Sequence, residues 1–360
     1  MPFPANYGGA IDVYARIVAL HKIGQKIWLH CFYTERKPAR ELENLCEKVF
    51  YYPRKTGIFS LPIFTPYMAY SRRNADLITL LNQDTAPILF EGLHTCYILP
   101  FLTNKKDRKI AIRMHNVEWE YYALLAKAET HFWQKIYFKW EAFLLKKFEK
   151  RIDLVDTIYT ISPNDTFYFA KKHKQVAYLP AAHLFGNVEI MEGKGAFCLY
   201  HGNLSVAENH QAALFLVEKV YPLIHIPLYI AGANPRKELF EKISQYPHIQ
   251  LIENPNEAEM ARLIREAHLH ILPTFQATGI KLKLLNALYK GRFVIASPEM
   301  VANTGVENLC IVCGNVDKFQ AEIKRVFELL FSVQEIAHRK EILNELFSIE
   351  KQAEIVLANL

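Results

Sequence analysis

No apolar run in the chain approaches the roughly 18 residues that a membrane-crossing helix needs, so no transmembrane segment is expected. No GxGxxG occurs anywhere, which argues against a nicotinamide-dependent dehydrogenase, whose pyrophosphate rests on that turn. Cysteine is sparse: Cys31, Cys46, Cys96, Cys198, Cys310 and Cys313 are the only six in 360 residues. Cys310 and Cys313 make a single CxxC inside LCIVCG, an apolar run that reads as a strand. A zinc site of cysteines needs a second pair, and there is none. The cysteines therefore read as reduced packing residues of a cytosolic protein, with no metal and no cofactor expected. Internal repeats and low-complexity segments are also missing. The opening MPFPANYGG reads as neither a signal peptide nor a lipidation signal.

Apolar residues make up 51% of the chain and aromatics 13%, enough for a large core. The length points to two domains. The net charge of +6 is uneven, +9 up to Phe185 and −3 beyond it. A basic first half and an acidic second half suggest different partners, although solvated basic surface explains the same numbers. No nucleic-acid partner is expected.

Along the chain, apolar strands alternate with helical periodicity, which marks an α/β protein. Gly8-Gly9 opens a helix through Leu20, and Lys26–Phe32 is the first clear strand. A glycine pair before a first helix normally follows a strand, so either strand one is very short or missing here or the true gene start lies upstream. Helices are expected over Ala39–Lys48 and Pro66–Asn82, and strands over Val49–Tyr52, Pro87–Glu91 and Lys109–Met114. Two of these strands end in His/Glu clusters, Glu91-Gly92-Leu93-His94 and His115-Asn116-Val117-Glu118. Ligands of open parallel sheets bind beyond such ends, so a site is expected there, although a strand-end His often only satisfies a loop. Trp119–Arg151 reads as one long basic, aromatic helical tract. Either it packs on a sheet or its basic amphipathic face lies on an anionic membrane. Strands Thr157–Ile161 and Val176–Leu179 close the first series, and Leu179–Lys194 is the expected boundary. A second α/β series follows, with strand ends at His201-Gly202-Asn203, Gly232-Ala233-Asn234 and Glu253-Asn254.

The stretch ILPTFQATGIKLKLLNALYKGRFVIA, Ile271–Ala296, is the most informative. Thr278 can cap a helix beginning at Gly279, and Gly291 suits its end. Lys281 and Lys283 fall in the first turn, where the helix dipole is already positive, and no acid lies between Thr274 and Lys290. Cations so placed, with the amides of Gly279 and Ile280, suit a diphosphate. An ordinary amphipathic helix with two solvated lysines fits the stretch as well.

The whole chain resembles glycosyltransferases of the GT-B fold, of the retaining family 4 type. PTFQATGIKLKLLNALYKG, HGNLSVAEN, AGANP and YGGAIDV carry the likeness. The resemblance implies two Rossmann-like doubly wound domains facing across a cleft: an acceptor domain over 1–182 and a nucleotide-sugar domain over 183–345. A C-terminal helix over 346–360 would pack back towards the first domain. It implies a nucleotide-sugar donor, a glycan or lipid-linked acceptor and no catalytic metal. The family's two carboxylates, separated by seven residues, align with Thr278 and Asn286, so both are replaced here. A subgroup with TGIK-x-K at this place uses lysines near the diphosphate. The arginine and lysine usual in the first loop of the second domain are also missing, Gly202-Asn203 and Glu208-Asn209 standing there.

On this resemblance the diphosphate falls to Gly8, Gly9, Gly202, Asn203, Gly279, Ile280, Lys281 and Lys283, and the nucleoside to Asn254 and Asn286. His115 would contact the donor sugar, and Thr278 would stand at the reacting centre. A retaining reaction passes the acceptor's proton to the departing phosphate oxygen, whereas an inverting one would use Glu118 or His115 as base. The expected activity is hexose transfer in polysaccharide biosynthesis. The expected location is cytoplasmic, at the inner membrane surface, with peripheral contact through the basic first domain. Two alternatives stay open: a nucleotide-sugar 2-epimerase using His94, His115, Glu91 and Glu118, and a non-catalytic nucleotide-sugar binder.

Overall fold

The computed structural model describes residues 1–5, 8–57, 62–129, 131–275 and 282–360. The chain folds into two compact units, one made of Met1–Leu184 with Phe347–Leu360 and the other of Phe185–Leu346.

The first unit contains two parallel sheets. Strands β1 (Trp28–Tyr33) and β2 (Lys48–Pro53) pair alone, Trp28 opposite Lys48. Strands β3 (Ile88–Glu91), β4 (Ile110–Met114), β5 (Thr157–Thr160) and β6 (Val176–Tyr178) form the second sheet in that order. Every residue of β4 is buried, as a parallel strand covered on both faces requires. Ile112, Ile158, Leu93, Leu99 and Phe169 belong to one buried cluster with it. The helix Ile349–Ala358 packs on the helix Gly8–Lys22, with Val356 fully buried. Among the described residues no strand precedes Gly8.

Two expected elements divide differently. The helix expected over Pro66–Asn82 is two, Tyr67–Tyr70 and Ala75–Leu81. Asn74 turns its side chain to accept from the Leu77 amide at 2.8 Å, so it starts a new helix instead of continuing the old one. The tract Trp119–Arg151 is two α-helices, Glu118–Ala128 and Phe132–Phe148, followed by a 3₁₀ turn over Glu149–Leu154. Near the break the Glu129 carboxylate accepts from the His131 amide at 2.8 Å. Beyond β3 the chain enters a 3₁₀ segment, Leu93–Phe101, through Gly92 at φ 88°, a conformation suited to glycine.

The second unit is one six-stranded parallel sheet. Its strands are β7 (Cys198–His201), β8 (Leu228–Gly232), β9 (Ile249–Glu253), β10 (Leu269–Leu272), β11 (Phe293–Ala296) and β12 (Ile311–Val312). They lie in the order β12-β11-β10-β7-β8-β9, the doubly wound order of a Rossmann sheet. Strands β7, β10 and β11 are buried throughout. The amphipathic helices Glu257–Glu266 and Val316–Phe327 are capped by Asn256 and Asn315, whose side chains each accept an amide at 2.9 Å. The start expected at Thr278-Gly279 lies outside the described residues, and that helix is described over Leu282–Lys290.

Candidate functional site

In the second unit, chain order reverses between β7 and β10, which are hydrogen-bonded neighbours. The loops leaving their carboxyl ends therefore flank the crevice that doubly wound sheets use for ligands. One loop runs from His201 through Ser205 into the helix Ala207–Phe215, and the other includes Thr274. Side chains tie the two together: the Thr274 hydroxyl donates to the Glu208 carboxylate, and Lys283 Nζ donates to Asn209 Oδ1. Asn209 Nδ2 in turn donates to the Asn203 carbonyl at 2.9 Å, and the Tyr200 hydroxyl donates to the Asn209 carbonyl at 3.0 Å. Lys283 Nζ also lies 5.3 Å from the centre of the Tyr200 ring. Thr274 is fixed from below, its amide donating to Ser297 Oγ and its carbonyl accepting from it, both at 2.9 Å.

This corner has unspent hydrogen-bonding capacity. Val206 at the N-cap of the helix Ala207–Phe215 supplies no side-chain acceptor, so the first amides of that helix are left uncapped. Asn286 Oδ1 is buried with no partner, three residues after Lys283 and so on the same side of its helix. Both ring nitrogens of His201 are buried and unpartnered. Burial, then His270 and Lys283, push the His201 pKa well below the usual value, so the ring is neutral. A cation, uncapped amides, a neutral imidazole and an orphaned acceptor make a place for an anion that also carries hydroxyl donors.

In the first unit a buried chain of alternating charge runs His115–Glu91–Arg16–Asp12–Arg113. His115 Nε2 lies 3.0 Å from Glu91 Oε2, Arg16 Nε 3.2 Å from Glu91 Oε1, and Arg16 Nη2 3.1 Å from Asp12 Oδ1. Arg113 Nη1 donates to Asp12 Oδ2, and its Nη2 donates to the carbonyls of Leu179 and Pro180 at 3.1 and 3.0 Å. The Ala182 amide donates to Asp12 Oδ1 at 2.6 Å. Burial alone would push the Glu91 carboxyl up, but the His115 hydrogen bond and the Arg16 charge hold it at about 2. Glu118, buried in the first turn of its helix, is pushed up by that burial. His115 therefore pairs with Glu91, not with Glu118. His94 folds its ring back onto Gly92, where an added Cβ would meet it at 2.6 Å, and its Nδ1 is buried without a partner. Burial and then Arg72 push the His94 pKa well down.

Residues 196–328 match the family model described as "Glycosyl transferases group 1". The matched segment lies within the second unit. The chain is 28% identical over 325 residues to an uncharacterized 44.6 kDa protein in the cps region of Klebsiella pneumoniae, covering 85% of this chain and 83% of that protein. Among solved structures, it is similar to a sucrose-phosphate synthase from Thermosynechococcus elongatus (TM-score 0.63, 13% identity, 98% of this chain and 92% of that one). It is also similar to Anabaena HepE in complex with UDP and glucose (TM-score 0.56, 12% identity, 97% and 96%). Two other matched structures are longer, and the chain spans 58% and 60% of their lengths. The fold is GT-B, its two α/β units built on parallel sheets.

Within the matched segment, Gly202, Asn203, Lys283 and Asn286 lie on the two loops and the helix just described. Asn254 lies farther along the sheet, after β9, at φ 47°, its Oδ1 accepting from the Asn234 amide at 2.8 Å. Thr278, Gly279, Ile280 and Lys281 lie outside the described residues. Gly8 and Gly9 open the first helix of the other unit, four and three residues before Asp12 of the charge chain. Sequence reasoning missed His201, Thr274, Ser297 and the bridging role of Glu208 and Asn209. His201 had a signal, a polar residue closing an apolar strand, whereas the Thr274–Glu208 bond spans 66 residues and leaves none.

Proposed function

We propose that the chain is a glycosyltransferase that moves a hexose from a nucleotide-sugar donor to a glycan or lipid-linked acceptor, with retention and without a catalytic metal. The observation that carries this is the corner where Lys283 meets the uncapped helix at Asn209, inside the segment that matches the group 1 model. A departing nucleoside diphosphate develops charge, and preorganised cations and amides stabilise it without reorganising. Lys283 is the cation, with Lys281 as the second candidate. The amides of Ala207 and Glu208, with the loop at Gly202-Asn203, receive phosphate oxygens. Asn286 Oδ1 accepts from a ribose hydroxyl, a role that needs an acceptor but not a full charge.

In the first unit, Glu91 holds His115 as an orienting carboxylate holds a working imidazole, and His115 contacts the donor sugar. The departing phosphate oxygen takes the acceptor's proton, so Glu118 is not required as a base. HepE binds UDP and glucose in its crystal, which supports a nucleotide-sugar donor, and the Klebsiella relative lies in a cps region, which supports a polysaccharide product.

A panel of nucleotide sugars, followed by thermal shift and by diphosphate release with candidate acceptors, tests the reading. Lys283→Ala removes a charge-assisted contact worth about 1.5–3 kcal/mol, so donor affinity should fall roughly 10- to 150-fold. Unchanged affinity in Lys283→Ala, or no thermal shift with any nucleotide sugar, refutes the site. Isomerisation without acceptor would identify an epimerase, and binding without turnover a non-catalytic binder.

A further inference from the structure

The helix Phe132–Phe148 is only half used by the fold. Its C-terminal side buries Ala142, Leu144, Leu145 and Phe148. Phe132, Ile136, Trp140 and Phe143 recur at helical spacing, within roughly 80° around the axis, and Trp133 and Tyr137 lie beside them. All six are exposed, Phe132 at 67% and Trp133 at 79%. Soluble surfaces seldom carry so continuous an aromatic face without a partner.

The charges around this face have one sign. Lys135, Lys139, Lys146 and Lys147 share the helix, and Lys147 Nζ lies 4.3 Å over the Phe143 ring. The helix has a single acid, Glu141, and it is buried. It accepts from the amides of Tyr67 and Met68, both at 3.0 Å. That bond holds the preceding segment against the helix, and three residues before Tyr67 stands Phe64, 88% exposed. A second copy docked on this face would set lysine against lysine. A surface that accepts aromatic rings at its boundary and supplies negative charge satisfies both features, and an anionic bilayer is such a surface.

We propose that the helix Phe132–Phe148, with Phe64 beside it, docks the first unit on an anionic lipid surface. The rings of Phe132, Trp133 and Trp140 enter the headgroup boundary, and the lysines sit among the lipid phosphates. No helix among the described residues is long and apolar enough to cross a membrane, so the association is peripheral and reversible. The inference rests on exposure and charge in the first unit and is independent of the donor site.

The test is sedimentation of the full chain with vesicles of phosphatidylcholine alone or mixed with phosphatidylglycerol. The chain should sediment with the anionic vesicles at low salt, release as salt rises, and shift its tryptophan emission to the blue. Phe132→Glu/Trp133→Glu should abolish sedimentation while leaving the melting temperature and far-ultraviolet spectrum unchanged. Lys146→Gln/Lys147→Gln should weaken partitioning about thirtyfold, at roughly fivefold per lysine. Three results overturn the proposal: no sedimentation with anionic vesicles, equal binding by the substituted and parent chains, or a self-associated parent that the glutamates disperse while vesicles stay unbound.

Discussion

Asp12 is the residue on which the buried charge chain of the first unit turns. Its two oxygens receive Arg113, Arg16 and the Ala182 amide, and its side chain is fully buried. Asp12→Ala leaves Arg113, itself fully buried, with only the Leu179 and Pro180 carbonyls, and Arg16 with only Glu91. Breaking a buried pair by removing one partner costs about 3–5 kcal/mol, because the remaining charge stays desolvated. For a unit of this size each kcal/mol moves the midpoint by about 2–4 °C, so the first unit should melt roughly 6–20 °C lower. Differential scanning calorimetry reads this directly. Two further variants sharpen the measurement. Lys22→Ala breaks the exposed pair with Glu350 and should cost under about 1 kcal/mol. Asp12→Leu/Arg113→Met removes both charges and should recover part of the loss. If Asp12→Ala melts within about 2 °C of the parent, the chain of charges is not what holds these elements together.

The same network predicts acid sensitivity. The Glu91 carboxyl titrates at about 2 when folded and at an ordinary 4.5 when unfolded, so the unfolded state binds the extra proton. Its contribution is complete above pH 4.5 and is lost as pH falls towards 2, and a melting series from neutral to acid should be steeper for the parent than for Glu91→Gln. Gly232→Ala places a Cβ on the Gly202 carbonyl oxygen and should cost about 1–3 kcal/mol while weakening nucleotide binding. Unchanged melting and affinity in that variant would mean the two strand ends do not need to meet so closely.

The strands were readable because buried parallel sheets demand mostly apolar runs, and Ile110–Met114, Leu269–Leu272 and Phe293–Ala296 are such runs, interrupted by Arg113 and His270. Alternation with helices marked the α/β class, but not the strand order. The helix break at Asn74 was less accessible, since an asparagine signals a cap only when its side chain turns back. Candidate residues could be named where residue type and loop position agree, as at Gly202, Asn203 and Lys283, all in the corner joined through Asn209. Its supports could not. Arg113 looks misplaced in an apolar strand, and nothing local shows that its counter-ion lies 101 residues earlier. His115 and Glu118 looked like one cluster, yet a helix start separates their roles and the partner of His115 comes from the neighbouring strand. The exposed aromatics of Phe132–Phe148 were visible as a pattern, but periodicity alone does not say which face the fold leaves uncovered.

The return of Phe347–Leu360 to the first unit has a consequence for how the chain is made. Val356 fills a buried position beside Tyr159 and Leu179, and the Tyr159 hydroxyl donates to the carbonyls of Ile355 and Val356 at 3.4 Å. These residues leave the ribosome only after every strand of the second unit has emerged. The unit that begins first is therefore the one that finishes last. Until then the groove for Val356 is open on the growing chain, and a nascent first unit waits on a segment more than 180 residues downstream of Tyr159. The first unit is therefore completed only after the second has been synthesised.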